Sequence, residues 1–427
     1  MSATADLLAF AGAAHRLPEA VRSDTARLLA DTLAVGAAGA TAPGADAILS
    51  AARSMGSGEE ARLLGTADRL PAPSAAFVNG YRIHSLEWDA VHEPAVVHAL
   101  STVVAALGAA IDRRGGCDAD EALAALAVGV DVAAGLGLAA DTPLTFFRPA
   151  TAGVIGAALA VARIDGAPLD DALGLACASA AGTMQAHVEG LATLPFQIAN
   201  VARAAVTASD LARAGFPGPK DPLEGAFGYF RLFDQGDLSR YTRDLGRVWR
   251  ISEVSVKPYP SGRASHAMIG AILNPGIRAE EVEALEMFVP PLVHRLIGRP
   301  FRPDMTPAYA RLCGPLLAAL ALRDGVIDPR AFTPETFAEP TLAALAGRIA
   351  IQVDDNPDPN ALSPQRMLVH DAEGHLDLEI PHTLGSPESP LSPAQAEAKR
   401  ALARDLAPAD ADPRLFDAPL AYFTDEQ

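Results

Sequence analysis

Through the first 215 residues, apolar positions recur at the three-to-four spacing of a helix, with polar positions between them. The clearest segments are Asp24–Gly36, Ala95–Arg113, Asp118–Leu138, Ala150–Ile164 and Asp170–Ala181. Their apolar positions are mostly Ala, Leu, Gly and Val. Alanine favours the helix, and small side chains let neighbouring helices approach closely. Ser23 stands before the first segment as a start signal, and Gly115-Gly116 follow the second as a stop. The pattern predicts an all-α bundle of mostly buried helices.

After about Arg240 the period changes. Ile251–Lys257 (ISEVSVK) alternates and predicts a short strand, ended by Pro258-Tyr259-Pro260. Val282–Val289, Ile349–Val353, Met367–His370 and Leu376–Ile380 also read as strands, the last two joined as a hairpin across Ala372-Glu373-Gly374. Cys313–Arg323 has helical spacing, Gly385–Pro390 reads as a linker, and Ser392–Ala407 opens on a helix cap. The expected fold is mainly α. A large all-helical domain spans 1–264 and is completed by the C-terminal segment 392–427; a smaller α+β lid domain spans 265–391.

Charge narrows the function. The 427 residues carry a formal net charge of −18, which argues against a nucleic-acid surface or a polybasic membrane anchor. A locally basic pocket for an anion is compatible with that excess. Lysine occurs only at Lys220, Lys257 and Lys399, so a lysine inside a motif stands out. Cys117, Cys177 and Cys313 form no CxxC pair and no zinc spacing, and a reduced, cytoplasmic compartment is expected. The first residues lack the pattern of a signal peptide, and the longest uncharged apolar run, Ala95–Ile111, falls short of a membrane span.

Two clusters carry candidate chemistry. In NGYRIHSLEWDAVHEPAVVH, residues 79–98, helical spacing puts His84, Glu87 and Val91 on one face and Asp89 and His92 on another; Pro94 should end that helix. His98 then opens the next helix. Free N–H groups at a helix start favour a neutral imidazole and welcome a carboxylate. His84, Glu87, Asp89, His92 and His98 are all possible metal ligands, but they match no known ligand spacing, and no metal is expected. In the second cluster, a strand end, a Pro/Gly turn and a helix start gather Lys257, Tyr259, Ser261, Arg263 and His266, enough donors to clamp carboxylates. A third stretch, Gly182–Gly190 with Pro195, Gln197, Asn200 and Arg203, interrupts an apolar region and offers His187 and Glu189. Gly135-Leu136-Gly137 has no strand before it, which rejects a dinucleotide fingerprint; there is no Walker loop, GxSxG or HExxH.

Several separated motifs, in order along nearly the whole chain, resemble the MmgE/PrpD family. They are Asn79-Gly80, His84-Ser85-Leu86-Glu87-Trp88-Asp89, His98, Thr151-Ala152-Gly153-Val154-Ile155-Gly156-Ala157-Ala158, Gly182-Thr183-Met184, Lys257 with Tyr259-Pro260 and His266, and the closing Gly385-Ser386-Pro387-Glu388 with Pro390-Leu391-Ser392. That family includes 2-methylcitrate dehydratase, cis-aconitate decarboxylase and iminodisuccinate epimerase. The resemblance implies a helical domain with a smaller lid and a homodimer. It also implies neither metal nor organic cofactor, and proton abstraction beside a carboxylate followed by loss of water, loss of carbon dioxide or reprotonation.

Residue by residue, His98, Lys257 and His266 match the family's histidine, lysine and closing histidine. Glu87 stands for its usual first aspartate, and Asp89-Ala90-Val91 for Asp-Asp-Thr. Phe147, beside Arg148, takes the place of a histidine; Leu194 and Gln197 take those of a lysine and a histidine. The pocket so implied has fewer cations than a tricarboxylate calls for, and Arg148, Arg263, His187 or His92 are the available replacements. The expected function is a cofactor-independent carbon–oxygen lyase, a dehydratase of a small di- or tricarboxylic acid. His98, Lys257, His266, Glu87 and Asp89 would carry the chemistry; Arg148, Tyr259, Ser261, Arg263, His187, Gln197 and His92 would bind substrate. An epimerase, isomerase or decarboxylase of a similar acid is the alternative, and a divergent, non-catalytic dimeric binding protein the second.

Overall fold

A computed structural model describes residues 2–372 and 374–425 and is mainly α, with two small sheets. The larger core is built by Glu19–Ala38, Ala72–His84, Ala99–Arg114, Ala119–Ala139, Gly153–Asp165 and Thr193–Arg213, packed on one another. Their alanines and glycines permit close approach: a Cβ at Gly156 would sit 2.1 Å from the Gly129 carbonyl oxygen of the neighbouring helix. The ends follow the chemistry of the chain. Asp118 caps Ala119–Ala139 by accepting from the amides of Asp120 and Glu121, and Gly115 ends Ala99–Arg114 at φ 83°. Among the described residues, one helix, Ala119–Ala139, is long and apolar enough to cross a membrane, and nearly all of it is buried in this core.

This part is not purely helical. A minimal hairpin pairs β1 (Ala61–Arg62) with β2 (Arg69–Leu70). The helix that follows the acidic cluster begins at Ala99, not Ala95, with His98 in the N-cap position. The alternating stretch 251–257 is not a strand. It begins as a 3-10 turn, Arg250–Glu253, and then makes a single bridge between Ser255 and Val91. Its apolar residues Ile251, Val254 and Val256 are all buried, so alternation does not mark one wet and one dry face here.

A second, separate apolar core surrounds a four-stranded sheet, made of β3 (Ala284–Val289), β4 (Ile349–Val353), β5 (Gln365–Asp371) and β6 (Gly374–Ile380). The order is β4-β3-β5-β6; β3 runs parallel to β4 and antiparallel to β5. β5 and β6 pair antiparallel as expected, although Glu373 of the connecting turn lies outside the described residues. Leu285, Met287 and Val289 of β3 are buried in this core together with apolar residues of the helices His266–Leu273 and Gly314–Asp324. Ser392 and Gln395 form a capping box for Pro393–Leu406, which packs against Glu19–Ala38. Lys399 on that helix reaches Asp31 at 2.6 Å.

Candidate active site

The segment from His84 to His98 is a buried loop rather than a helix. His84 ends Ala72–His84, Glu87 adopts a left-handed φ of 53°, and Val96 does so at 52°. Two bridges hold the loop, Val91 to Ser255 and His92 to Val97. Unhelical backbone thereby turns Glu87 and Asp89 inward toward Lys257, which helical spacing would have placed on diverging faces.

Asp89 is the hub and is 0% exposed. Its Oδ2 accepts from Nδ1 of His84 at 2.8 Å and Nδ1 of His98 at 3.0 Å, and from the hydroxyl of Ser101. Its Oδ1 lies 3.8 Å from the Lys257 ammonium. Lys257, also 0% exposed, donates to the Glu87 carbonyl at 3.0 Å and to Glu87 Oε2 at 3.1 Å. His84 Nε2 is 3.7 Å from Glu87 Oε1, and the His84 and His98 rings stand edge to face with centroids 4.9 Å apart. The stretches around residues 84–98 and 257 thus share one carboxylate.

The electrostatics separate the two imidazoles. Burial alone would depress His84, but Asp89 and Glu87 overcome it and raise its pKa. His98 goes the other way: burial lowers its pKa, Asp89 offsets this only in part, and Lys257 adds to it. Burial would raise both carboxyls, yet the surrounding cations win. Lys257, then His84 and His98, hold Glu87 down to about 2, and the two histidines with Lys257 keep Asp89 well below the usual range. The surroundings therefore favour ionised Glu87 and Asp89, the charged form of His84 and the neutral form of His98. Because Asp89 fixes the proton on Nδ1 of His98, the basic nitrogen is Nε2.

His84, Asp89 and His98 have ligand atoms within 4.8 Å of one another and could hold a metal. The donor set fits one poorly. Asp89 Oδ2 is already ringed by three hydrogen-bond donors, and Lys257 places a positive charge where a cation would add another.

A cavity of about 70 Å³ opens beside this cluster. His84, Glu87, His98, His187 and Arg263 contribute its polar groups; Phe147, Met184, Leu194, Leu296, Ile297 and Leu312 make most of the rest apolar. A buried acid–base pair beside a small apolar pocket can move a proton on a bound organic acid in the near absence of water.

Comparison with known families agrees with that chemistry. The MmgE/PrpD N-terminal domain matches residues 9–241 and the MmgE/PrpD C-terminal domain matches residues 259–416. The chain belongs to the MmgE/PrpD family. It is similar to the cis-aconitate decarboxylase of Mus musculus, 27% identical over 376 residues that cover 82% of this chain and 76% of that one. The Homo sapiens cis-aconitate decarboxylase is 27% identical over 367 residues, covering 80% and 76%. That of Aspergillus terreus is 26% identical over 277 residues, covering 60% and 56%. At this level the MmgE/PrpD chain is a lyase-type family member.

The other residues singled out in the sequence take varied places in this MmgE/PrpD structure. His187 lines the cavity, and burial, reinforced by Arg299, pushes it down to about 4; Arg299 donates to its Nε2 at 3.0 Å. Arg263 lines the cavity too, but its guanidinium meets Glu93 at 2.7 Å and the carbonyls of Thr383 and Leu384. His266 is buried behind the wall: Nε2 donates to the Ser261 carbonyl at 3.1 Å, Nδ1 has no partner, and burial holds it neutral. Tyr259 packs on the His266 ring and is pushed up to about 12 by burial, while the Ser261 and Ser265 hydroxyls bond each other. Arg148 is engaged by Asp234, His92 by Glu253 at 3.0 Å, and Gln197 by the backbone of Thr183. Glu189 is bonded by Gln185.

Sequence reading missed Ser101, Arg299 and Arg311. Ser101 lies three residues after His98 on the first turn of a helix, a spacing that could have drawn attention to it. Arg299 and Arg311 sit in ordinary-looking segments, and only the fold brings Arg299 to His187 and Arg311 within reach of the charge of Glu87.

Proposed function

We propose that this protein is a lyase that needs no organic cofactor and acts on a small di- or tricarboxylic acid by moving a proton next to a carboxylate. The observation that carries the reading is the pair of touching imidazoles, His84 and His98, which share the Asp89 carboxylate yet shift in opposite directions: Asp89 and Glu87 raise His84, while burial and Lys257 outweigh Asp89 and lower His98. Two titratable groups pushed apart in this way suit an acid and a base.

For dehydration, Nε2 of His98 takes the proton from the carbon beside the carboxylate. The electron pair passes into that carboxylate and then expels the β-hydroxyl, which leaves as water with the proton of His84. Lys257 keeps Glu87 and Asp89 ionised, so both histidines hold their charge states. A homodimer in the cytoplasm is part of this reading.

Decarboxylation is the second reading, and the apolar wall favours it. A carboxylate desolvated against Phe147, Leu194 and Ile297 is destabilised relative to neutral carbon dioxide. The named similarity to cis-aconitate decarboxylases points the same way. Here the departing group leaves its electron pair on carbon, and a histidine supplies the proton.

The test is incubation with 2-methylcitrate, citrate, cis-aconitate, citramalate and malate in deuterated water, followed by NMR. Loss of water supports the first reading, and loss of carbon dioxide the second. Deuterium exchange at carbon without net loss would make the enzyme an epimerase. Catalysis of none of these by folded protein would overturn the lyase reading.

A further inference from the structure

A second cavity, of about 270 Å³, adjoins the first. His84, Glu87, Leu194 and Leu312 line both, so the two cavities meet at these four side chains. Arg311 lines the second cavity and not the first. It is 3% exposed, and its guanidinium has no hydrogen-bond or ion-pair partner among the described residues. It stacks over the Phe332 ring at 4.8 Å, and burial depresses its pKa to about 10, opposed by the charge of Glu87. Its backbone is firmly held, since the Arg311 carbonyl accepts from the Gly262 amide at 3.0 Å.

The contrast with the neighbouring cations is informative. Lys257 has Glu87 and Asp89, Arg263 has Glu93, and Arg148 has Asp234. Arg311 alone of these four has no carboxylate. A buried guanidinium without a counter-ion costs stability, and a fold keeps such a charge where a ligand supplies the missing anion. The fork of a guanidinium matches a carboxylate in two parallel hydrogen bonds.

We propose that Arg311 anchors a second carboxylate of the substrate, so that the ligand spans both cavities with its reacting carbon beside His98 and a distal carboxylate on Arg311. This rests on the reading of the site as a lyase of di- or tricarboxylic acids and deepens it by naming the residue that holds the distal carboxylate. Arg311 is then the residue that discriminates polycarboxylates from monocarboxylates.

The test is calorimetric binding of cis-aconitate, citraconate and crotonate to the wild-type chain and to Arg311→Gln and Arg311→Lys. Wild type is expected to bind one of the two polycarboxylates about tenfold or more tighter than crotonate, the worth of one charged hydrogen-bonded pair. Arg311→Gln should lose that margin with crotonate binding unchanged, and Arg311→Lys should keep part of it. Equal polycarboxylate binding by folded Arg311→Gln and wild type overturns the anchor alone. Failure of wild type to bind any of the three acids overturns the lyase reading with it. A second measurement is independent of ligand: Arg311→Met should raise the melting temperature of the free protein by removing an unpaired buried charge. A lower melting temperature would mark Arg311 as structural and overturn the proposal.

Discussion

Asp89 Oδ2 accepts the Nδ1 proton of His98 at 3.0 Å, and that single contact decides which nitrogen of His98 can act. An amide at position 89 would offer either an N–H, forcing the other tautomer, or an oxygen that no longer stabilises a charged imidazole. Asp89→Asn is therefore expected to lower turnover by about three to four orders of magnitude, the scale seen when an orienting carboxylate is neutralised in a His-based site. Steady-state rates on folded protein check this. Turnover within a few-fold of wild type would remove His98 Nε2 as the base.

The opposite shifts of the two imidazoles predict a bell-shaped pH profile. His98 works as the neutral base, and its pKa lies below the ordinary 6.5, so activity is lost as pH falls through that lowered value. His84 works as the charged acid, and its pKa lies above 6.5, so activity is lost as pH rises through it. The two limbs should flank 6.5, with apparent values belonging to the coupled pair. The kcat/KM profile tests it; absence of an alkaline limb would take His84 out of the acid role.

Lys257 makes the site expensive to alter. Removing its ammonium leaves Glu87 and Asp89 buried together without their cation. Lys257→Met is expected to cost about 3–5 kcal/mol, and the double variant Lys257→Met/Glu87→Gln clearly less. The acid side offers a cross-check. Glu87 is depressed from 4.5 to about 2, so it contributes stability above its unfolded value and loses it as pH falls toward 2. Urea midpoints measured against pH should show that decline in wild type and a weaker one in Lys257→Met.

Much of the scaffold was legible because helices report themselves through periodicity and caps. Gly115 stops Ala99–Arg114, Ser392 starts Pro393–Leu406, and β3 alternates as its sequence does. The site was legible as a set of residues but not as a shape. His84 to His98 has helical spacing, yet tertiary contacts impose a loop with Glu87 and Val96 in the left-handed region, a conformation that nothing local favours. Ile251–Lys257 alternates, yet every apolar residue in it is buried from both sides. Arg311 illustrates the deeper limit. A cation without a partner is defined by what does not come near it, and that is a property of the fold, not of the neighbouring sequence.

Arg148 shows how a basic residue near the site can serve the scaffold. Its Nε and Nη2 donate to Asp234 at 3.1 and 2.9 Å, Nη1 donates to the Ala95 carbonyl at 3.0 Å, and Nη2 also reaches the Thr142 carbonyl at 3.1 Å. Tyr229 and Thr142 satisfy the same carboxylate through their hydroxyls. The bond to Ala95 ties this buried pair to the loop three residues before His98, so the guanidinium fixes where that imidazole stands. Arg148→Met should therefore lower stability by about 3–5 kcal/mol through the uncompensated Asp234. Replacing the pair together, as Arg148→Met/Asp234→Leu, should recover part of the loss because no buried charge remains. Below its melting temperature the single variant should lose kcat through a misplaced His98, with KM little changed. A KM raised at full stability would instead assign Arg148 to the substrate.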